Sequence, residues 1–389
     1  MKKKVLFVLN QMGTGGIAKS LSNLLFHLEK YKDKVDIDLF LLRKDGCYMG
    51  DIPPYVNVLE SKGVLKLFGA SQKDTKKFGK VAYFNRFVTA CFTKVFTNYL
   101  PLKIGCRQNR LEKEYDCAIS FAHTQGSRDM ASGSVEFVLD GVKAKKKFCV
   151  IHADVVVEHL LSRSNVKKIA KFDKVFSVSK DCSKQLIDNC PQLKDKSDYL
   201  YNTQRNDIIL KRSKEFKVDF GDKFNLTMIS RLEKEKAHLR FLPIVKRLHD
   251  EDFDFQLNIV GDGVLRHDIE KYIAENNMKD YVILWGQQSN PFPYYVASDL
   301  FVLVSYYEAA PMVYNEAQLL GTPVFTANTL SANELVGNYG FVCDNDVNEI
   351  YKKLKEILSS PKLIEEKRKL LENFDYNNDQ IVKKLLGEI

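Results

Sequence analysis

SYYEAAPMVYNEAQLLGTPV, residues 305–324, places two carboxylates, Glu308 and Glu316, eight positions apart with Pro311 between them. Proline is favoured in the first turn of a helix, where its missing N–H costs nothing. Pro311, Met312 and Val313 therefore open a helix, which Gly321-Thr322-Pro323 ends. The start of a helix offers free N–H groups and the positive end of its dipole to an anion. Glu308 lies in the loop before this helix and Glu316 about a turn and a half inside it. One carboxylate can accept hydrogen bonds from the hydroxyls of a sugar and the other from those of a ribose, with phosphate near the amides between them.

Reading outward, the apolar run LFVLVS (300–305) supplies a strand just before this segment, and similar strand–loop–helix units precede it. After FNLTMIS (224–230) comes RLEKEKAHLRFLPIV, where Arg231 and Lys236 stand five residues apart in the turn. A guanidinium fork and an ammonium point charge at a strand end can clamp a phosphate. After FQLNIVG (255–261) the Gly261-Asp262-Gly263 turn lets backbone approach a ligand closely. After YVILWG (281–286) the Gly286 turn can lie against a planar base. TPVFTA (322–327), YGFVC (339–343) and a helix over 346–359 complete this half, and a charged helical stretch over 362–387 follows.

The first half has the same alternation, with strands over 4–9, 35–42, 116–122, 147–153 and 174–179. Repeated βα units imply a parallel sheet covered on both faces. A polar, basic connector around 201–222 separates two such series. The expected architecture is α/β, with two doubly wound Rossmann-like domains facing a cleft: 1–204, 205–370, and a final helix over 371–389 that packs back on the first domain. In such sheets ligands bind outside the carboxyl ends of the strands.

The loop after the first strand, NQMGTGGIAKS (10–20), carries Gly15-Gly16 ahead of a helix whose apolar face is Ile17, Leu21, Leu24, Leu25 and Leu28. It satisfies G-x-G-x-x-G/A over 13–18 and misses the P-loop pattern because Ala18 stands where the last glycine belongs. A dehydrogenase needs its ribose-binding acid at the end of the second strand. Here Asp36 and Asp38 lie at the start of that strand, and Arg43-Lys44 at its end.

Taken in order, SRLEKEK, GDG, VILWG and EAAPMVYNE resemble the motifs of the retaining glycosyltransferases of family four, which have the GT-B fold. Ala309 and Ala310 replace that family's usual E-G-[FLM]-P, while both glutamates stay in place. The resemblance implies that Arg231 and Lys236 neutralise the donor diphosphate as charge develops on it. It gives Glu316 the ribose and Glu308 the transferred sugar, and turns the backbone of Gly15-Gly16 toward the diphosphate. It places His152 in CVIHADV near the transferred sugar, and His123 is a second, acceptor-side histidine. The activity implied is transfer of a sugar from a nucleotide-diphosphate sugar, such as a UDP-sugar, to a glycan in cell-surface polysaccharide or capsule synthesis. Retention follows either from same-face attack or from Glu308 as a covalent nucleophile. Two rivals stand beside it: a nucleotide-sugar epimerase of the same fold, and a non-catalytic nucleotide-sugar-binding protein.

The net charge of +9 is concentrated between Ser61 and Glu114, where twelve Lys or Arg meet three acids among many aromatics. Such a segment suits an amphipathic helix on an anionic membrane surface, or equally a core-facing aromatic stripe with a solvated basic face. A lipid-linked glycan acceptor at the inner face of the cell membrane fits the first alternative. No nucleic-acid recognition motif accompanies the charge. No run approaches the roughly 18 apolar residues of a membrane span, and the N-terminal apolar segment reads as a strand, not a signal peptide. The eight scattered cysteines form no C-x-x-C pair and read as reduced thiols of a cytoplasmic protein. Asp344-Asn345-Asp346 has the spacing of a metal-binding D-x-D, but it precedes a helix and reads as a cap. No metal ligands are assigned, and transfer is expected to need no metal or other cofactor, because Arg231 and Lys236 supply the positive charge.

Overall fold

The structure, a computed structural model, describes residues 1–13, 15–69, 72–76 and 79–389. Thr14, in the first glycine loop, and Lys77 and Phe78, in the basic-aromatic segment, lie outside the described residues. The chain forms two compact units, Met1–Gln204 with Asn377–Ile389, and Arg205–Tyr376.

The first unit contains a parallel seven-stranded sheet in the order β3-β2-β1-β4-β5-β6-β7. Its strands are β1 (Lys3–Leu9), β2 (Val35–Leu41), β3 (Asn57–Glu60), β4 (Glu114–Ser120), β5 (Lys143–Ile151), β6 (Lys174–Ser177) and β7 (Ser197–Tyr199). β1 buries its last five residues, VLFVL, because a central parallel strand is covered on both faces. From β1 the chain first builds outward to β3, then returns to lay β4 on the other side of β1. The carboxyl ends of β1 and β4 are thus the point where strand order reverses, and the loop of Gly15-Gly16 and the loop of His123 leave from those two ends.

The helix Gly16–Leu28 buries Leu21, Leu24, Leu25 and Leu28, but also Ser20, Asn23 and His27 from its polar side. Residues 202–204 cover that side. Ser20 Oγ donates to Asn202 Oδ1 at 2.8 Å, Asn23 Nδ2 donates to the Thr203 carbonyl at 2.8 Å, and His27 Nε2 lies 2.7 Å from the Gln204 carbonyl. The amphipathic pattern alone could not show this, because its polar face is satisfied by a side chain and two main-chain carbonyls about 180 residues away.

The second unit has a parallel six-stranded sheet in the order β10-β9-β8-β11-β12-β13. Its strands are β8 (Phe224–Ile229), β9 (Phe255–Val260), β10 (Val282–Gly286), β11 (Leu300–Leu303), β12 (Val324–Ala327) and β13 (Gly340–Cys343). The helix His238–Asp250 lays Phe241, Leu242, Val245 and Leu248 on this sheet at the spacing of one helical face. Strand order reverses between β8 and β11, so the loops after these two strands are neighbours.

The single helical stretch expected over 362–387 is two helices, Pro361–Leu371 and Asn378–Glu388. The first stays with the second unit, where Arg368 donates to the Ser298 carbonyl at 3.1 Å and pairs with Asp299 at 2.9 Å. The unit accordingly extends to Tyr376, six residues beyond 370. The last helix lies in the first unit, where Lys174 pairs with Glu388 at 3.0 Å and Lys384 with Asp198 at 2.8 Å.

The helices Lys80–Phe96 and Tyr99–Gln108 carry the basic-aromatic segment. Their aromatic stripe does not face the core: Phe84, Phe96 and Tyr99 are each more than 60% exposed. The buried members of the first helix are instead Arg86 and Thr93, and Arg86 donates to Gln72 Oε1 at 3.0 Å. Among the described residues no helix is long and apolar enough to cross a membrane.

Candidate active site

The second unit gathers its polar groups at the reversal of strand order. From the loop after β8, the Lys236 ammonium meets the Glu308 carboxylate from the loop after β11, and Ser305 Oγ donates to the same carboxylate at 2.8 Å. Both charged groups are mostly enclosed, Lys236 at 16% exposure and Glu308 at 12%. The two loops are also joined through backbone, since the Tyr306 N–H donates to the Glu235 carbonyl at 2.9 Å. Arg231 stands apart from this pair. Its side chain is exposed, and its Nη2 lies 3.3 Å from Glu235.

Pro311 is the capping residue rather than the first helical one, with φ −70° and ψ 122°, and the helix runs Met312–Leu319. The amides of Met312 and Val313 lie in the first turn, where no intrahelical acceptor is in reach. Glu316 is 2% exposed and accepts a hydrogen bond from the Tyr295 hydroxyl at 3.3 Å. Burial, with that carboxylate beside it, raises the Tyr295 hydroxyl well above its ordinary pKa, so it stays a donor.

Packing of the loops itself requires glycine after β9. A Cβ on Gly261, whose φ is 144°, would sit 1.9 Å from the Ser230 carbonyl oxygen, and one on Gly263 would sit 2.5 Å from that of Leu232. They are required for the loop after β9 to pack on the loop after β8, where Leu232 N–H donates to the Asp262 carbonyl at 3.0 Å. Gly286, φ 69°, accepts from the Gly261 N–H at 2.8 Å and completes the same stack of loops. The stack fixes the backbone on which Arg231 and Lys236 stand.

His238 begins the next helix fully buried, with Nε2 3.2 Å from Ser230 Oγ. Burial, aided by the Lys236 charge, brings its pKa down to about 4, so the ring is neutral beside the lysine. Two residues of Asp344-Asn345-Asp346 are engaged within the fold. Asp346 caps the helix Val347–Ser359, accepting from the Asn348 and Glu349 amides at 2.8 and 3.3 Å, while Asn345 donates to the carbonyls of Ser305 and Tyr306.

In the first unit, Gly15 caps the helix Gly16–Leu28 with φ 144°, and both Gly15 and Gly16 are exposed. A Cβ on Gly16 would meet nothing within 4 Å, so packing within the protein does not demand glycine there. His152 follows β5 with its ring centroid 4.9 Å from that of Phe121, and its Nε2 is buried without a hydrogen-bond partner. Burial, and to a lesser degree His123, lowers its pKa to about 3. His123 follows β4 with Nε2 3.1 Å from the Gln125 amide, and burial lowers it to about 4. Both rings are neutral near pH 7.

The sequence reading missed Glu136. Its carboxylate accepts from Thr124 Oγ1 at 3.0 Å and from the Gly133 N–H at 2.9 Å, and pairs with Lys168 at 2.7 Å, holding the loop that carries His123. It missed Tyr295, Ser305 and Arg240 as well. None of these four was marked by a motif.

Two doubly wound parallel sheets, each with its polar loops where strand order reverses, are the GT-B class of glycosyltransferase fold. The solved structure of Anabaena HepE in complex with UDP and glucose is similar over 99% of both chains, with a TM-score of 0.67 at 17% identity. WaaG, a glycosyltransferase of lipopolysaccharide biosynthesis, is similar over 98% of both chains with a TM-score of 0.60. The family described as glycosyl transferases group 1 matches residues 211–379, nearly all of the second unit.

Among curated proteins, an N-acetylgalactosaminyltransferase of Campylobacter jejuni acting on a diphospho-undecaprenol-linked saccharide is 29% identical over 50% of this chain. An Escherichia coli UDP-Gal:alpha-D-GlcNAc-diphosphoundecaprenol alpha-1,3-galactosyltransferase is 28% identical over 71% of it. The chain spans about half the length of the first relative, 53%, and 74% of the second.

Proposed function

We propose that the protein is a retaining glycosyltransferase that moves a sugar from a nucleotide-diphosphate sugar to a lipid-linked glycan in cell-surface polysaccharide synthesis. The observation that carries this reading is the enclosed Lys236–Glu308 pair at the strand-order reversal of a unit that the group 1 glycosyl transferase family matches. An ammonium there can offset charge on the leaving diphosphate, and a carboxylate held by Lys236 and Ser305 can bind hydroxyls of the transferred sugar. Glu316, oriented by Tyr295, takes the ribose, and the amides of Met312 and Val313 take phosphate oxygens. Arg231, exposed and close to Glu235, swings onto the diphosphate when donor binds.

The first unit takes the acceptor. Its exposed Gly15-Gly16 helix start suits an anion. Neutral His152 and His123 suit hydrogen bonds to sugar hydroxyls. A UDP-sugar is the donor class favoured by HepE, which was solved with UDP and glucose. A diphospho-polyprenyl acceptor is favoured by the two curated relatives. Both relatives are transferases, which favours transfer over epimerisation and over binding alone. Transfer proceeds without a divalent ion, because Lys236 and Arg231 supply the positive charge and the Asp346 carboxylate is spent on a helix cap.

Membrane contact through residues 80–108 fits the same acceptor. Between Asp74 and Glu112 the chain has no acid, and nine of the nineteen large apolar side chains exposed among the described residues fall within 81–104. Apolar side chains enter the interface while lysines and arginines meet anionic headgroups.

A panel of nucleotide sugars, assayed for slow release of nucleoside diphosphate with and without chelator, tests the reading without knowledge of the acceptor. Release from one donor, unaffected by chelator and abolished in Lys236→Met, is expected. No release from any donor would count against transfer, and loss with chelator restored by manganese would overturn metal independence.

A further inference from the structure

Glu308 stands on a loop whose backbone is held from outside at several points, and most of them lead to one side chain. Arg240 reaches in from the helix His238–Asp250, and its Nη2 donates to the Val304 carbonyl and, at 3.3 Å, to that of Ser305. Its Nη1 donates to Asn345 Oδ1 at 2.7 Å, and its guanidinium carbon lies 4.4 Å from the centroid of the Tyr306 ring. Asn345 Nδ2 then donates to the carbonyls of Ser305 and Tyr306 at 3.3 and 3.0 Å. The N–H of Tyr306 closes the circuit on the Glu235 carbonyl, one residue before Lys236.

Among the described residues every hydrogen-bond acceptor on this guanidinium is neutral: two main-chain carbonyls and an amide. A half-buried cation is costly, and one kept for stability alone is ordinarily matched with a carboxylate. Its planar fork can hold two carbonyls and an amide oxygen in fixed directions, which a lysine cannot do. The segment it grips ends two residues before Glu308, so the position of that carboxylate follows the position of the guanidinium.

We propose that Arg240, braced by Asn345, is a positioning residue that sets the Glu308 carboxylate against Lys236. The inference deepens the proposed transfer function and rests on it for its kinetic consequence, but its structural consequence stands alone. Misplacing a reacting group by about 1 Å can cost on the order of 100-fold in rate. Arg240→Met should therefore lower kcat for donor turnover by about 10- to 100-fold while KM for the donor moves little. Arg240→Lys, keeping charge without the fork, should fall between. In a Glu308→Gln background the same Arg240→Met change should add almost nothing, because its effect passes through the carboxylate already lost.

Two readouts test this on the full chain. Hydrogen exchange should show the Tyr306 amide protected in the wild type and opened in Arg240→Met, with the amides of β8 and β9 unchanged. Unchanged protection at Tyr306 overturns the brace whether or not a donor is known. Where the wild type releases nucleoside diphosphate, an equal kcat in Arg240→Met, or an equal further loss in the Glu308→Gln background, also overturns it. Opened exchange at Tyr306 in Arg240→Met, where the wild type turns over no nucleotide sugar, would leave the brace standing and sink the transfer function instead.

Discussion

Lys236 and Glu308 hold one another in place, so removing either does more than delete a contact. Lys236→Met leaves a carboxylate at 12% exposure held by the Ser305 hydroxyl, and removes the charge assigned to the leaving diphosphate. Loss of one such electrostatic donor typically costs on the order of 10²–10³ in kcat. Steady-state release of nucleoside diphosphate should show that loss, with the folded circular dichroism spectrum retained. The glycines separate structure from function. Gly261→Ala forces a Cβ to within 1.9 Å of a carbonyl at a φ of 144°, and should destabilise the protein by roughly 3 kcal/mol or more in urea unfolding. Gly16→Ala meets nothing, and should leave stability within about 1 kcal/mol of wild type while raising substrate KM. An unchanged KM would remove Gly16 from the site. At this scale Lys236, Glu308 and Glu316 were legible because each sits at a fixed offset from a strand end or a helix start. Arg240 was not, since its partners are main-chain carbonyls 64 and 65 residues away, which no local spacing reveals.

Helical periodicity in residues 80–108 told where the chain coils but not which face looks outward. A basic-aromatic pattern serves a core or a membrane interface equally well. The structure turns the aromatics out and tucks Arg86 in. Sedimentation with vesicles containing anionic lipid should therefore capture the wild type at low salt. A Phe84→Ser/Phe87→Ser double variant should stay in the supernatant, and the wild type should be released by high salt. Equal binding by both proteins would contradict the contact. The short strands β3 and β7, of four and three residues, carried too little pattern to read, and their place at the sheet edges explains why so few residues suffice. The cap at Asp346 was legible from its position before an apolar-periodic run. Asp346→Ala should lower stability by about 1 kcal/mol in thermal or urea unfolding, without changing the response of activity to divalent ions.

Across the whole molecule, alternation of strands and helices pointed to two parallel sheets, and the connector near residue 205 marked where the second begins. Strand order could not be read, because it depends on which neighbours β1 and β8 accept, and that order is what brings the loop of Lys236 beside the loop of Glu308. Stability also has a molecular signature. His123, His152 and His238 are held neutral by burial, with pKa values lowered to about 4, 3 and 4. The unfolded chain takes up these protons near pH 6.5, while the folded chain resists until about pH 4 or below. Between those values the unfolded state binds more protons, so stability is full above pH 6.5 and falls as the pH drops toward 4. Urea unfolding across that range should show the decline, and replacing His152 by Asn should flatten part of it. The most direct measurement incubates the purified protein with a UDP-sugar and a glycan linked to diphospho-polyprenol, and reads both products by mass spectrometry and nuclear magnetic resonance. The account predicts one added sugar per acceptor with its anomeric configuration kept, an equal amount of UDP released, and neither product from Lys236→Met. A nucleotide sugar that binds tightly yet releases no nucleoside diphosphate with any acceptor would contradict it.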